Sequence, residues 1–232
     1  MRLALVLIVL ALAPPAALLA APRDPEPAAP PSPPSVETPP PIAAPSPVPP
    51  VATATPAPLP RSRALGLPWH GRLVHGRPLP DRGEGYVTWD PIRKRLGNRG
   101  WRRWGTGRLL HTLRAVLAAY ARRHPGAPPV LVGDLSRPHG GDFGPRFGGI
   151  GHASHQNGLD ADVYYPRRDG ALRAARRPEQ VDRAAAQDLV DAFVRAGARL
   201  VFVGPSLSLR GPRGVVQPLV HHDDHLHVRL RR

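Results

Sequence analysis

The sequence contains no cysteine. This absence excludes disulfide bonds, thiolate nucleophiles, thiolate metal ligands and anchoring through a lipidated cysteine. After one apolar run near its start, the sequence also has no second run of the length that a membrane span requires. A folded part of this chain must therefore be stabilised by packing, or by a metal ion held through nitrogen and oxygen ligands.

The first 21 residues have the order of a secretory signal. Arg2 precedes an apolar run from Leu3 to Ala13, and Pro14-Pro15 and small residues follow. An uncleaved membrane anchor is the alternative, but the run is shorter than the roughly 20 apolar residues that span a bilayer. We predict a cleaved signal peptide over residues 1–21, export of the mature chain, and no membrane span in it afterwards.

Residues 22–60 contain 17 prolines in 39 positions and no aromatic residue. Such a composition cannot bury enough apolar surface to fold, and proline favours an extended backbone. We predict a Pro-rich disordered linker over residues 22–60. One folded domain then remains, residues 61–232, which is an ordinary size for a single core.

The net charge is +15 and is carried mostly by arginine. A basic surface attracts polyanions. For an exported protein the cell wall or the membrane surface is a better candidate than nucleic acid, for which no recognition motif is present. The alternative is that the arginines reflect biased composition and have no partner. The oligomeric state cannot be read from the sequence.

The spacing of apolar residues predicts two helices and four main strands. The helices cover residues 106–124 and 181–196, because apolar side chains recur there with a helical period. The strands cover residues 129–135, 159–165, 199–204 and 220–230. Helices and strands do not alternate regularly, so we predict an α+β domain with a central antiparallel sheet flanked by helices.

Seven of the 11 histidines lie in two short windows. They are His139, His152 and His155, then His221, His222, His225 and His227. Imidazoles grouped near aspartates are typical of a metal site, although a hydrogen-bonded polar cluster is the alternative. Asp160 and Asp162 fall on the same polar strand face, so the pattern alone does not choose between them. Two histidines and one carboxylate would leave a fourth position open, which suits catalytic zinc.

Two motifs together resemble the penicillin-insensitive murein endopeptidases, which are zinc metallopeptidases related to D-Ala-D-Ala carboxypeptidases and lysostaphin-type enzymes. The first motif covers residues 151–163 and the second residues 222–230. The resemblance implies a zinc site at the sheet edge, with ligands His155, Asp162 and His227. It also implies a catalytic role for His225 and His222, and additional site positions at His152 and Asp160.

The resemblance implies an endopeptidase that uses zinc-activated water to hydrolyse amide bonds in the peptide cross-links of peptidoglycan, of the D-Ala–diaminopimelate type. The predicted signal peptide places the mature chain in the periplasm. A D,D-carboxypeptidase or dipeptidase of the same group is the nearest alternative, and a non-catalytic cell-wall-binding protein is a more distant one. A second metal is not expected, because no histidine lies between Asp162 and His221. Ser136, Arg137 and Asp142 are further candidates for substrate contacts.

Overall fold

A computed structural model of the chain describes residues 61–147 and 151–232. The predicted signal peptide and Pro-rich linker lie outside the described residues. Among the residues described, no helix is both long and apolar enough to cross a membrane. The helices are α1 Gly107–Arg123 and α2 Arg183–Arg195; the strands are β1 Arg63–Leu67, β2 His70–Val74, β3 Arg77–Pro78, β4 Arg82–Gly83, β5 Tyr86–Asp90, β6 Arg95–Leu96, β7 Trp104–Gly105, β8 Val130–Val132, β9 Asp160–Tyr164, β10 Ala198–Val203, β11 Val216–Pro218 and β12 His225–Leu230.

Helix α1 forms where the apolar period predicts it. Thr106 caps its first turn, because the Thr106 hydroxyl accepts a hydrogen bond from the backbone N–H of Leu109 at 3.1 Å. Gly126, with φ +83°, follows the last turn and lets the chain reverse. The buried stripe is Leu109, Leu110, Leu113, Val116, Leu117 and Tyr120.

Helix α2 is shorter than its predicted range by a few residues. Asp182 caps it by accepting a hydrogen bond from the N–H of Ala185 at 3.0 Å, so the helix starts at Arg183 rather than at residue 181. Its apolar side chains join those of α1 in one core cluster, which also contains Leu226 and Val228 from strand β12. Both helices therefore pack against the same face of the sheet.

The main sheet is mixed, which corrects the expected antiparallel arrangement. Its strand order is β11-β10-β12-β9-β8-β5-β4, with β6 added beside β5. The β5–β8 and β10–β11 pairs are parallel, whereas β12 pairs antiparallel with both β9 and β10. The β5–β8 pair joins strands on either side of α1, and short apolar runs do not indicate their partners. The α+β class itself is confirmed.

Strands β9 and β12 lie inside the sheet, with β8 and β10 as their outer neighbours. The residues expected to hold the metal therefore belong to two inner strands and to the loop before β9, rather than to an edge strand. An inner position gives both strands a hydrogen-bonded neighbour on each side, and the five-residue pairing of β9 with β12 is unbroken. That arrangement holds the side chains of the two strands in fixed register.

The last strand is shorter than expected. Residues 220–224 form a turn, and β12 begins at His225. His221 adopts a left-handed conformation with φ +65°, which breaks the extended backbone. Asp223 accepts hydrogen bonds from the N–H and the hydroxyl of Ser206, so this turn is fixed against the loop after β10. Strands β8 and β9 are also shorter than their predicted ranges, whereas β10 has the predicted length and begins one residue earlier.

Candidate metal centre

The pairing of β9 with β12 sets the geometry of the centre. Asp162 lies directly across from His227, two residues from the pair formed by Asp160 and Arg229. Successive side chains of a strand alternate between faces, so all four point away from the helices. The alternating apolar residues of the same strands join the core beneath α1 and α2.

Three donor atoms meet on this face. The Nε2 atom of His155 lies 3.2 Å from Nδ1 of His227 and 3.3 Å from Oδ1 of Asp162. The third side of this triangle, from His227 Nδ1 to Asp162 Oδ1, is 3.1 Å. All three residues are buried. Two imidazoles and one carboxylate that are distant in sequence thus converge on one point.

His155 is held from both its backbone and its ring. Its Nδ1–H donates to the carbonyl oxygen of Leu135, which leaves the Nε2 lone pair facing the other two donors. Its backbone N–H donates to Oδ2 of Asp160 at 2.9 Å. The residue has φ +67°, a conformation that non-glycine residues rarely adopt. Such strain persists where surrounding contacts enforce it, as they do here.

Asp160 supports the centre rather than joining the triangle. Its Oδ1 accepts a hydrogen bond from Nε of Arg229 at 2.6 Å and lies 3.3 Å from Nε2 of His227. The same carboxylate fixes the backbone of His155. Asp160 is therefore positioned to orient two of the three converging residues. In the register of β9 with β12, Asp162 and not Asp160 lies across from His227 and shares the triangle.

His152 lies at the other side of the triangle and is anchored by a buried ion pair. Its Nε2–H donates to Oδ2 of Asp134 at 2.8 Å, and its Nδ1 lies 3.7 Å from Oδ2 of Asp162. Asp134 also accepts hydrogen bonds from Arg102 and Asn98. His152, His155 and Asp162 offer ligand atoms that all lie within 4.8 Å of one another. His152 is thus a candidate fourth donor to an ion at this centre.

His225 and His222 complete the open side. Nδ1 of His225 pairs with Oδ1 of Asp224 at 2.6 Å, and Nε2 of His225 lies 3.9 Å from Oδ1 of Asp162. The ring of His222 lies 4.8 Å from the ring of His225 and 6.2 Å from that of His227. Nδ1–H of His222 donates to the carbonyl of Val220 at 2.9 Å.

The pKa values reflect the balance of burial and charge. Burial lowers the pKa of His155, and the nearby Asp162 only partly opposes it, so the neutral ring is favoured. Burial alone would raise the pKa of Asp162, but His155 and His227 outweigh it and hold that pKa well below its usual range. Burial likewise opposes ionisation of Asp134, yet the hydrogen bonds from Arg102 and His152 lower its pKa to about 2. A neutral imidazole and ionised carboxylates are the forms that bind metals.

The other histidines respond to their own partners. Burial lowers the pKa of His225, but the carboxylates of Asp224 and Asp162 outweigh burial and raise it. For His222 burial dominates and its pKa is lowered. Burial opposes the charged form of His227 as well, but Asp160 and Asp162 raise its pKa to about 9. The centre therefore concentrates negative charge around His227, which a bound cation would offset.

These residues fit a metal ion. Ligand atoms about 2.0–2.1 Å from a tetrahedral zinc lie roughly 3.3 Å from each other, close to the observed sides of 3.1–3.3 Å. Nε2 of His227 lies 3.3 Å from Oδ1 of Asp160, which leaves Nδ1 of the same ring to the triangle. The donors are nitrogen and oxygen only, a set that suits zinc among divalent ions.

The seven residues assigned to the site by the family resemblance lie in or beside this cluster. His155, Asp162 and His227 form the triangle; His152, Asp160, His222 and His225 surround it. Ser136 is buried. Arg137 and Asp142 belong to the loop between β8 and His152, where Nη1 of Arg137 donates to the carbonyl of Asp142. His139 is exposed on that loop.

Sequence reasoning missed four supporting residues. Asn98, Arg102, Asp134 and Asp224 orient the histidines, but only Asp224 adjoins one in sequence. Asp134 directly follows a buried apolar run before the first histidine window, which is a signal that could have identified it. Nothing local marks Asn98 or Arg102, since their role depends on contacts more than 30 residues away.

The fold and the cluster define an α+β domain with a buried histidine–aspartate centre able to hold a metal ion. The family model described as penicillin-insensitive murein endopeptidase matches residues 64–201. The chain belongs to this family. The match includes the first histidine window and Asp162, and β12 supplies the second window through its pairing with β9.

Relatives of the chain bear the same family name. A penicillin-insensitive murein endopeptidase of Haemophilus influenzae is 27% identical over 196 residues, which cover 73% of this chain and 64% of that protein. The protein of the same name from Yersinia enterocolitica is 27% identical over 195 residues, covering 73% of this chain and 66% of its own length. One from Salmonella heidelberg is 31% identical over 132 residues, or 46% of each chain. The chain thus spans slightly less than two thirds of the first two relatives.

Proposed function

We propose that the chain is a zinc-dependent endopeptidase that hydrolyses amide bonds in the peptide cross-links of peptidoglycan. Membership of the murein endopeptidase family supports the reaction class and the substrate. The observation that carries the proposal is the triangle of His155 Nε2, Asp162 Oδ1 and His227 Nδ1, with sides of 3.1–3.3 Å. Zinc in that position would polarise the scissile carbonyl and lower the pKa of a water molecule.

The residues around the triangle would transfer protons and hold the ligands in place. Asp224 holds Nδ1 of His225, so Nε2 of His225 faces the centre and is free to accept a proton there. The same Nε2 would return the proton to the leaving amine. The raised pKa of His225 favours its protonated form after that transfer. His222, whose Nδ1 is occupied by Val220, would present its own Nε2 to the same open side.

His152 would have a separate role. The Arg102–Asp134 pair fixes its Nε2–H, which leaves Nδ1 of His152 facing Asp162. From that position the Nδ1 lone pair would complete the ligand set of the ion. Asp160 would keep His155 and His227 in place through its contacts to both. The site is thereby preorganised before substrate binds.

We further propose that the enzyme acts in the periplasm. The predicted signal peptide over residues 1–21 would direct export, and the Pro-rich stretch over residues 22–60 would connect the domain to its point of release or attachment. Sequencing the N-terminus of the protein recovered from the periplasmic fraction would test this part. Recovery of the full-length chain with an intact Met1 from the cytosol would contradict it.

The test combines metal analysis with product analysis. Purified mature chain should contain about one zinc per molecule, as expected for a single catalytic site. It should convert cross-linked muropeptide dimers to monomers, identified by mass spectrometry, and lose that activity with a chelator until zinc is restored. Removal of terminal residues from monomers without cleavage of dimers would indicate a carboxypeptidase instead. Binding to cell walls without hydrolysis by the zinc-loaded chain would indicate a wall-binding protein.

A further inference from the structure

A groove of about 750 Å³ begins beside His225. Its inner end is lined by Asp224, which is bonded to His225, and by Tyr164, whose ring lies 5.5 Å from the ring of His225. The floor continues with Trp89, which packs edge-on against Tyr164 at 6.3 Å. The groove therefore reaches two residues that contact the proposed acid–base residue, and the metal triangle does not line it.

The rim of this groove is cationic. Lys94 and three arginines, Arg173, Arg176 and Arg177, line it, and all four side chains are exposed. Within the part of the chain that the structure describes, none of the four forms a salt bridge. We call the cavity with these four residues the arginine groove. Three of its cations come from one segment of five residues.

The acidic residues of the groove do not neutralise this rim. Asp224 is engaged with His225 at 2.6 Å. Asp223 accepts two hydrogen bonds from Ser206, through its backbone N–H at 3.1 Å and its hydroxyl at 2.9 Å. Both carboxylates therefore already have partners on the side of β12. The positive charge of the opposite rim is available to a ligand that brings its own anions.

The arginine segment is held in place rather than projecting freely. Nη1 of Arg167 donates to Oε1 of Gln180 at 3.0 Å, and the same oxygen accepts the backbone N–H of Arg176 at 2.8 Å. Ala175 is buried in the main core, and Ala174 packs against the Trp89–Tyr164 cluster. The backbone that carries the arginines is thus fixed against the sheet, so their charges have a defined position relative to the site.

We propose that the arginine groove is a subsite that binds carboxylates of the peptide substrate and so orients the scissile amide toward His225. This inference rests on the proposed function and specifies the substrate further. The aromatic floor of Trp89 and Tyr164 suits the aliphatic part of a peptide, while the rim suits its free carboxylates.

The test compares two substrates and two variants. Zinc-loaded wild type is given cross-linked muropeptide dimers with free carboxylates and the same dimers with those carboxylates amidated. The variant R173Q/R176Q/R177Q removes three charges from the rim. The control R114Q/R199Q/R213Q removes three exposed charges elsewhere, from residues that also form no salt bridge within the described chain.

Wild type and the control should prefer the free carboxylates by about tenfold in kcat/KM, the scale expected of several exposed ion pairs acting together. The rim variant should lose that preference while cleaving amidated dimers as wild type does. The preference should also weaken as salt is raised. An equal preference in wild type and rim variant would overturn the inference while leaving the hydrolase intact.

A binding measurement separates this inference from the proposed function. If the zinc-loaded chain cleaves neither dimer, the proposed function fails. The affinity of the same chain for each of the two dimers, measured by calorimetry, then tests whether the arginine groove binds carboxylates. Tighter binding of free carboxylates that is lost in R173Q/R176Q/R177Q supports a carboxylate subsite; equal affinity for both dimers refutes it.

Discussion

The two faces of strands β9 and β12 serve different purposes although they share one backbone. One face presents Leu226, Val228 and Val163 to the core beneath α1 and α2. The other presents Asp162 and His227, which are equally buried but polar. Burial of apolar groups stabilises the fold, whereas burial of charged groups costs free energy unless they are paired. A cluster of this kind on one face of a well-packed sheet indicates function rather than stability.

The apolar face also allows the backbone of the site to be strained. The apolar face and the ladder hydrogen bonds of two inner strands hold the backbone, so the polar face tolerates the left-handed conformation of His155 and the crowding of several imidazoles. A metal ion would relieve the electrostatic part of that cost. Mutation of a polar-face residue of β12 should therefore lower metal content, whereas mutation of the neighbouring apolar-face residue should lower stability.

The largest effect is expected at His227. In His227→Ala one corner of the triangle is removed, so zinc content should fall close to zero and kcat/KM on cross-linked dimers should drop by more than about a thousandfold. The reason is that a metal of this kind contributes several kcal/mol to transition-state stabilisation. Metal analysis and a dimer-cleavage assay on the same preparation measure both quantities.

Circular dichroism provides the control for that variant. The apolar face is untouched, so the far-UV spectrum should match that of the wild type. Full zinc occupancy in a folded His227→Ala protein would show that the metal uses other donors, and the set of His152, His155 and Asp162 would then be the better assignment.

The next effect is expected at Leu226, one residue away on the other face. Leu226 is fully buried, so Leu226→Ala should lower the free energy of unfolding by about 2–5 kcal/mol through lost burial and a residual cavity. Denaturant titration of the zinc-loaded proteins measures it. Well below the unfolding midpoint, zinc content and cleavage should stay near the wild-type values. Loss of zinc from the folded variant would mean that the two faces are not independent.

The assignment of residues to the apolar and the polar face was largely predictable from the sequence. The alternation in β12 assigned its histidines and leucines to opposite faces, and the period of α1 together with Thr106 predicted that helix closely. These features depend on neighbours along the chain. The choice of Asp162 over Asp160 was different, because both lie on the same face and only the register with β12 distinguishes them.

Contacts between distant segments were not predictable. The parallel pair of β5 with β8 spans all of α1, and no local pattern specifies which strands become neighbours. The support of His152 by Asp134 and Arg102 depends on that same assembly. The turn over residues 220–224 was predicted as part of the last strand, although its four polar residues from His221 to Asp224 interrupt the alternation that begins at His225.

The smallest effect is expected at Asp224, where the polar face meets solvent. The side chain of Asp224 is 41% exposed, so water can replace part of its contact with His225. Asp224→Asn should lower kcat by about tenfold through loss of ring orientation, as is typical of residues that position another side chain. KM should stay constant or fall, since a negative charge is removed from the arginine groove. Glu84→Gln, an exposed change far from the site, should leave both constants unchanged. A rise in KM with constant kcat would instead assign Asp224 to substrate binding, and His225 would need another partner to hold its ring.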